Sequence, residues 1–534
     1  MEPLLPIGIH LPERGTRTLL QDLHRQLRSA IVEGRLRPGL RLPSTRSMAE
    51  TYGVSRNTAV AAYDLLLSEG YILARRGSRT EVAASLPKAP SAPATRKARS
   101  SRIRRVTPFW RSTRVVSNEG PPAPRWFFRL GVPDAASFPV EVWRRLSTRE
   151  SRSMRTAEGL KTDLQGLRAL REAIARHVSF TRAVACAPED IIVTAGAQQA
   201  FDLLARVLIT PRRTCVALED PGYPPLRAAF KAACGKLVAV PVDHDGLVVG
   251  QLPRNADIVC VTPSHQFPLG CVLSAQRRAE LCDFTHTRNA VIIEDDYDGE
   301  FRYTDRPLDA LQTLDRQESV FYVGTFSKSL LPTLRLGYIV TPRWARSPLL
   351  AAKGVSEGPC CGLNQRVLAA LITGGHLARH VRKMQRIYAR RRQILIDLIH
   401  RDLSRWLEPI PSAAGLHIAA ALRLPLSDTS LEVESLRQGI GVRALSAFAS
   451  RRSPPTGLIF GFGAISDADI AGGVAALRRL LEQFANRQLA RSRDQTAISS
   501  IGQSGTRTIH RPKATNSRRA RRASERTGPP GLPE

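Results

Sequence analysis

The stretch that most restricts how this 534-residue chain can fold runs from Gly324 to Tyr338, reading GTFSKSLLPTLRLGY. An apolar run, Ser319-Val320-Phe321-Tyr322-Val323, feeds into it and reads as a buried strand. A hydroxyl-rich turn follows, with Lys328 in its middle and Arg335 seven residues later. A lysine set among small and hydroxyl residues suits an aldehyde cofactor held as a Schiff base, because burial eases loss of the amine proton. The phosphate of pyridoxal 5′-phosphate needs hydroxyl donors and a fixed guanidinium, which Thr325, Ser327 and Arg335 can supply. The same residues also read as a loop carrying one solvated lysine.

A second stretch weights that choice. Val291-Ile292-Ile293 reads as a parallel strand running into Glu294-Asp295-Asp296-Tyr297-Asp298. Acidic residues at the carboxyl end of a strand sit where α/β sheets bind ligands. A pyridoxal ring needs a carboxylate beside its nitrogen, to keep it protonated, and uses a phenol near its hydroxyl. Asp295 and Tyr297 suit those two tasks. Alone, an acidic strand end equally suits Mg²⁺. The lysine and arginine that follow favour the pyridoxal reading.

Together these motifs resemble the fold-type I pyridoxal-phosphate enzymes, the aspartate aminotransferase superfamily, over roughly residues 126–485. The resemblance implies that Lys328 forms the internal aldimine, Asp295 pairs with the ring nitrogen, Tyr297 contacts the ring oxygen and Arg335 holds the phosphate. The form EDDYDGEFRY with GTFSKSLLPTLRLGY is narrower, and resembles the aminotransferase-like half of the MocR group of bacterial regulators.

The other end of the chain bears on that likeness. Leu23, Leu27 and Ile31 fall at helical spacing, and Gly34 ends that helix. Ser44 caps a short helix through Met48 and Ala49, and Thr51-Tyr52-Gly53-Val54 is a turn. Ser55 caps a third helix, from Arg56 to about Ser68, with Ala59, Ala62, Tyr63 and Leu66 inward. Residues 71–82 read as a hairpin with a basic tip, Arg75-Arg76-Gly77-Ser78. Helix, helix, glycine turn, helix and hairpin describe a winged helix-turn-helix. The third helix of that motif enters the major groove, where Ser55, Arg56, Asn57 and Thr58 offer polar groups, and the wing can place Arg75, Arg76 or Arg79 beside the backbone or minor groove. The stretch GRLRPGLRLPSTRSMAETYGVSRNTAVAAYDLLLSEGYI resembles the GntR family of regulators. That resemblance implies DNA contacts from Arg46, Arg56 and Asn57, while Val60 stands where some relatives use arginine.

The expected organisation is therefore multidomain. Residues 1–84 form an N-terminal α+β winged helix-turn-helix and residues 126–485 a C-terminal α/β fold-type I domain. Residues 85–125 and 486–534 carry ten and eleven Lys/Arg against one and three acids, more than half of the net charge of +32. Both read as disordered, one as a linker and one as a tail, adding phosphate attraction without sequence preference. No run of eighteen apolar residues exists, the N-terminus shows no charged stretch followed by an apolar run, so no secretory leader is expected, and eight scattered cysteines form no C-x-x-C pair. These features predict a cytoplasmic protein with no membrane span and no zinc site.

Within the second domain, residues 160–180 read as one amphipathic helix with Leu164, Leu167, Leu170 and Ile174 on a face. Ile191-Ile192-Val193 is a strand opening through Gly196, Ala197 and Gln198 into a helix, which is either an ordinary strand–helix turn or a phosphate site, and the fold-type I resemblance implies the second. Tyr223 matches the aromatic that stacks on the cofactor ring. His265 and Gln266 are either pocket-lining or structural. Two departures from the aminotransferases stand out. Phe267-Pro268-Leu269-Gly270 replaces Asn-Pro-Thr-Gly, and Gly457–Gly463 lacks the arginine that grips a substrate carboxylate. Arg443, Arg451 and Arg452 lie nearby in sequence. Machinery for holding pyridoxal phosphate is thus whole while that for gripping an amino acid is not, so slow or absent turnover is expected. The MocR likeness implies a homodimer with its halves crossed head to tail, an operator duplex as partner, and a small amine or amino acid as effector.

Overall fold

The computed structural model describes residues 5–12, 18–75, 79–84, 106–112, 123–155, 163–303, 309–451 and 454–484. It divides into two compact units, Met1–Val115 and Val116–Glu534.

In the first unit, α1 (Leu19–Val32), α2 (Thr45–Tyr52) and α3 (Arg56–Ser68) precede a hairpin of β1 (Ile72–Arg75) and β2 (Arg79–Val82). Ser44 Oγ accepts the Ser47 N–H and Ser55 Oγ accepts the Thr58 N–H, each satisfying an amide that the first helical turn leaves open. Between the two caps, Gly53 sits at φ 64°, the left-handed conformation that ends α2. Leu23, Leu27, Ile31, Met48, Ala59, Ala62 and Leu66 are all fully buried in one core. The hairpin pairs Ile72 with Val82 and Arg75 with Arg79. Arg76, at the expected wing tip, lies outside the described residues.

Most of the 85–125 and all of the 486–534 stretches also lie outside them. Pro108–Ser112 corrects the expectation of coil throughout the linker, because these residues form a short helix. Proline in its first turn pre-sets φ, and the Arg111 N–H closes on the Thr107 carbonyl.

The second unit is built on an eight-stranded sheet. In chain order its strands are β3 (Ile191–Thr194), β4 (Cys215–Asp220), β5 (Lys236–Asp243), β6 (Gly246–Leu247), β7 (Ile258–Val261), β8 (Val291–Asp296), β9 (Val320–Thr325) and β10 (Gly337–Val340). Their spatial order is β3-β10-β9-β8-β7-β4-β5-β6. β10 runs antiparallel to β9 and β3, and β6 to β5; the other neighbours are parallel. Ile191–Thr194, Cys215–Asp220, Ile258–Val261, Val320–Thr325 and Gly337–Val340 are buried throughout, which is why they read as unbroken apolar runs rather than alternating ones. A second, antiparallel sheet joins β11 (Leu407–Pro409), β12 (His417–Leu422), β14 (Gly457–Gly461) and β13 (Arg443–Ala444) in that order.

The helix expected over 160–180 begins later, as α4 (Arg168–Arg182). Gly166 stands at φ 102°, and a Cβ there would run into the Val193 side chain. Leu164 precedes this turn and is outside the helix. Arg171 holds the turn by donating to the Gly166 and Pro188 carbonyls and to Asp163.

Candidate functional site

Because β3, β4, β7, β8 and β9 all point the same way, their carboxyl ends open onto one edge. Register aligns them closely. Val323 lies opposite Asp295 and Gly324 opposite Asp296, while Thr325 faces Gly337, which faces Thr194. The turn after β9 therefore delivers Lys328 beside the acidic end of β8, and Arg335 beside the turn after β3.

Lys328 Nζ donates to the Gly131 carbonyl at 2.6 Å. Burial lowers its pKa, with Asp298 and Asp295 opposing, so the amine loses its proton more readily than a free lysine. Asp295 is buried, and its Oδ1 has no hydrogen-bond partner. Burial and then the charge of Asp296 push its carboxyl well above the usual range, against a smaller pull from Lys328. An unpartnered buried carboxylate is costly and calls for a donor or a positive charge. Asp296 also has one buried oxygen, Oδ1, without a partner, but its charge is paired: its Oδ2 accepts from Arg182 Nε at 2.6 Å and from the Tyr322 hydroxyl at 2.6 Å, all three groups buried.

A cradle forms on the other side of Lys328. Thr325 Oγ1 and Ser327 Oγ lie 2.9 Å apart, and the Ser327 N–H donates to Thr325 Oγ1. Gly196, at φ 89°, caps α5 (Ala197–Leu208), and a Cβ there would stand 3.4 Å from Arg335 Nη1. The open backbone amides of Ala197 and Gln198, two hydroxyls and one guanidinium thus share a corner suited to a phosphate. The Gln198 side chain turns away, donating to the Pro225 carbonyl.

Aromatic rings line the space between. Tyr223 follows β4 and meets Phe267 edge-on at 5.3 Å. Phe267 also meets Tyr297 at 6.0 Å, His417 at 5.4 Å and Phe448 at 5.3 Å. The residue that departs from Asn-Pro-Thr-Gly is therefore packed as the centre of a ring cluster. Tyr297 places its hydroxyl 2.8 Å from His265 Nδ1, and that nitrogen is also 3.1 Å from both Asp298 oxygens. Gln266 is structural: it donates to Glu219 and to the Pro221 and Phe267 carbonyls.

Sequence reasoning missed Gly131, Asp298 and His417. Only the acid at the end of the Asp-Asp-Tyr-Asp run carried a local signal for any of them. The nearby arginines are accounted for: Arg443 pairs with Glu432 and lies over the Phe448 ring, and Arg451 pairs with Asp220. Arg452 lies outside the described residues.

In the first unit, Arg56, Asn57 and Val60 form the exposed N-terminal face of α3. The Ser55 and Thr58 hydroxyls bond each other at 2.8 Å and serve the cap. Arg46 is exposed on α2, 3.9 Å from Glu50.

Residues 19–82 match the bacterial regulatory proteins of the gntR family, and residues 129–447 match aminotransferase class I and II. The probable rhizopine catabolism regulatory protein MocR of Rhizobium meliloti is 36% identical over 466 residues, covering 86% of this chain and 92% of that one. The pyridoxine biosynthesis transcriptional regulator PdxR of Corynebacterium glutamicum is 34% identical over 460 residues, covering 86% and 94%. Among solved structures, the multiple substrate aminotransferase of Thermococcus profundus superposes with a TM-score of 0.66 at 21% identity, covering 72% of this chain and 99% of that one, a likeness of fold. With a GntR helix-turn-helix at one end and an aminotransferase class I/II domain at the other, the chain belongs to the MocR-type transcriptional regulators of the GntR family.

Proposed function

We propose that the aminotransferase-type domain holds pyridoxal 5′-phosphate, and that its occupancy, alone or after capture of a small amine or amino acid, sets the affinity of the N-terminal domain for its operator. The observation that carries this reading is the buried Asp295 carboxylate, one oxygen unpartnered, on the strand beside the one that delivers Lys328. A protonated ring nitrogen answers that need. When bound, the cofactor supplies an electron-withdrawing ring and an aldehyde that captures amines. Lys328 would hold it covalently, its lowered pKa favouring the neutral amine. Arg335, Thr325, Ser327 and the amides following Gly196 would hold the phosphate, Tyr223 would cover the ring, and Tyr297 would stand at the ring hydroxyl.

On the DNA side, Arg56 and Asn57 would read base edges in the major groove, and Arg46 would hold a phosphate. The regulator would act in the cytoplasm as a homodimer with crossed halves, and the basic linker and tail would add phosphate attraction. Among the described residues no helix is long and apolar enough to cross a membrane. A bound amine alters operator affinity only if it binds two arrangements of the dimer unequally. Couplings of this kind span about 5–150-fold in affinity.

The test uses the full chain and an operator selected from random duplexes. Purified protein with pyridoxal phosphate should absorb as a lysine-bound cofactor, incorporate it on borohydride reduction, and lose both on Lys328→Ala. Operator affinity, read by fluorescence anisotropy, should differ at least fivefold between cofactor-free and loaded protein. Protein that stays colourless in excess cofactor, or equal affinities in the two states, would overturn the reading.

A further inference from the structure

The outer face of α3 carries one side chain that the fold does not use and that the roles of Arg56 and Asn57 leave over. Ala59, Ala62, Tyr63 and Leu66 are buried and hold α3 to the core. Val60 is 37% exposed. A branched apolar residue gains nothing from water, and in a helix it loses side-chain freedom against the preceding turn. At about 100° per residue, Val60 falls between Arg56 and Asn57 around the helix axis. Along the axis it lies about 4.5–6 Å beyond them. It therefore stands one turn behind the two side chains that would enter a groove first. The other polar groups of that turn have separate work: Ser55 Oγ accepts the Thr58 N–H and bonds the Thr58 hydroxyl.

The neighbours of Val60 limit what it can meet. Asp64, one turn further on the same face, is exposed and acidic, so beyond Val60 the helix presents the wrong charge to a phosphate backbone. Leu65 is 40% exposed but points about 140° away from Val60 around the axis. Within a major groove the base edges offer donors, acceptors and one apolar member, the thymine 5-methyl group. An isopropyl group set against an amino group, a purine N7 or a carbonyl oxygen strips water from a polar atom and returns no hydrogen bond. Set against a methyl group, it removes apolar surface from water on both sides. An arginine in the same place would instead favour guanine, whose O6 and N7 accept a bidentate pair.

We propose that Val60 is a specificity-determining residue that reads the 5-methyl group of a thymine in the operator, beside the base pairs taken by Arg56 and Asn57. The inference rests on the reading of α3 as the helix that enters the groove. It assigns the operator one T·A pair that is preferred for a single methyl group. That preference is independent of salt, because no phosphate takes part in it. Burying one methyl group corresponds to about a fourfold change in affinity.

The test uses the full chain and the operator it selects from random duplexes. Each thymine of that operator is replaced singly by deoxyuridine, which lacks only the methyl group, and affinity is read by fluorescence anisotropy at two salt concentrations. One replacement should weaken wild-type binding about fourfold, by the same factor at both salts, and should change nothing in Val60→Ala. Val60→Ala should bind random duplex as the wild type does. It should also keep its fold, since the side chain is exposed and alanine is the better helix former. Val60→Arg, put through the same selection, should exchange T for G at that pair. If no replacement weakens wild-type binding, or the sensitive one weakens Val60→Ala equally, Val60 is an ordinary surface valine and the proposal fails while α3 keeps its place in the groove. If Arg56→Ala and Val60→Arg both leave the selected sequence unchanged, α3 is not the reading helix and both readings fail.

Discussion

Replacing Asp295 by asparagine should stabilise the cofactor-free protein and remove the gain it draws from pyridoxal phosphate. The carboxylate is buried, its Oδ1 has no partner, and Asp296 adds like charge. Leaving such a group unsatisfied costs about 1–3 kcal/mol. Asparagine keeps the shape and removes the charge, so at a pH above the raised pKa of the carboxyl the cofactor-free variant should gain up to that amount. At about 2 °C per kcal/mol for a domain of this size, the melting transition of the larger domain should rise by about 2–6 °C. The pH dependence has a definite sign. The folded-state pKa of Asp295 is raised, so the cost of its charge is fully present above that pKa. It is absent below the unfolded value near ~4, where both states are protonated. The advantage of asparagine should therefore shrink as pH falls. Cofactor at a hundred times its dissociation constant should stabilise the wild type by about 2.7 kcal/mol. The variant, lacking the counter-charge for the ring nitrogen, should gain less than half of that. Differential scanning calorimetry with and without cofactor, at neutral and mildly acidic pH, reads both effects. A cofactor-free variant no more stable than the wild type, or equal stabilisation of the two by cofactor, would refute the reasoning.

Two further outcomes are expected. Arg56→Ala should cost about 1–3 kcal/mol of discrimination against random duplex if Arg56 makes a bidentate base contact; equal weakening on operator and random DNA in a competition titration would make it a phosphate contact instead. Gly131→Ala should reduce borohydride-trapped cofactor while the fold persists, because Gly131 sits at φ 61° and a Cβ would come within 2.7 Å of Lys328 Nζ; unchanged incorporation would show that this close approach does not position the amine.

What could be read from the sequence was mostly what neighbours in the chain decide. The caps at Ser44 and Ser55, the turn at Gly53 and the strands ending at Thr194, Asp296 and Thr325 each carry their own local chemistry. Periodicity failed where two local signals competed. Leu164 and Leu167 continue the helical spacing of Leu170 and Ile174, but Gly166 must pass against Val193, and that contact ends the pattern. The site was legible as a set of residues and illegible as a set of distances. Lys328 and Gly131 lie 197 residues apart, Arg182 and Asp296 lie 114 apart, and His265 and Asp298 lie 33 apart. Composition holds no record of such pairings; sheet register makes them.

Phe267 has a mechanical consequence. Its ring touches Tyr223 and Tyr297 on loops of the large sheet, and it also touches His417 on a strand of the small sheet and Phe448 in the turn that follows β13. An asparagine in that place would use its side chain on the cofactor; phenylalanine uses it to fasten two lobes to each other. Close-packed rings have little slack, since opening a gap of about 0.5–1 Å forfeits a quarter to a half of a contact's attraction. A displacement of Tyr223 or Tyr297 against this joint would therefore press on His417 and Phe448 of the smaller sheet.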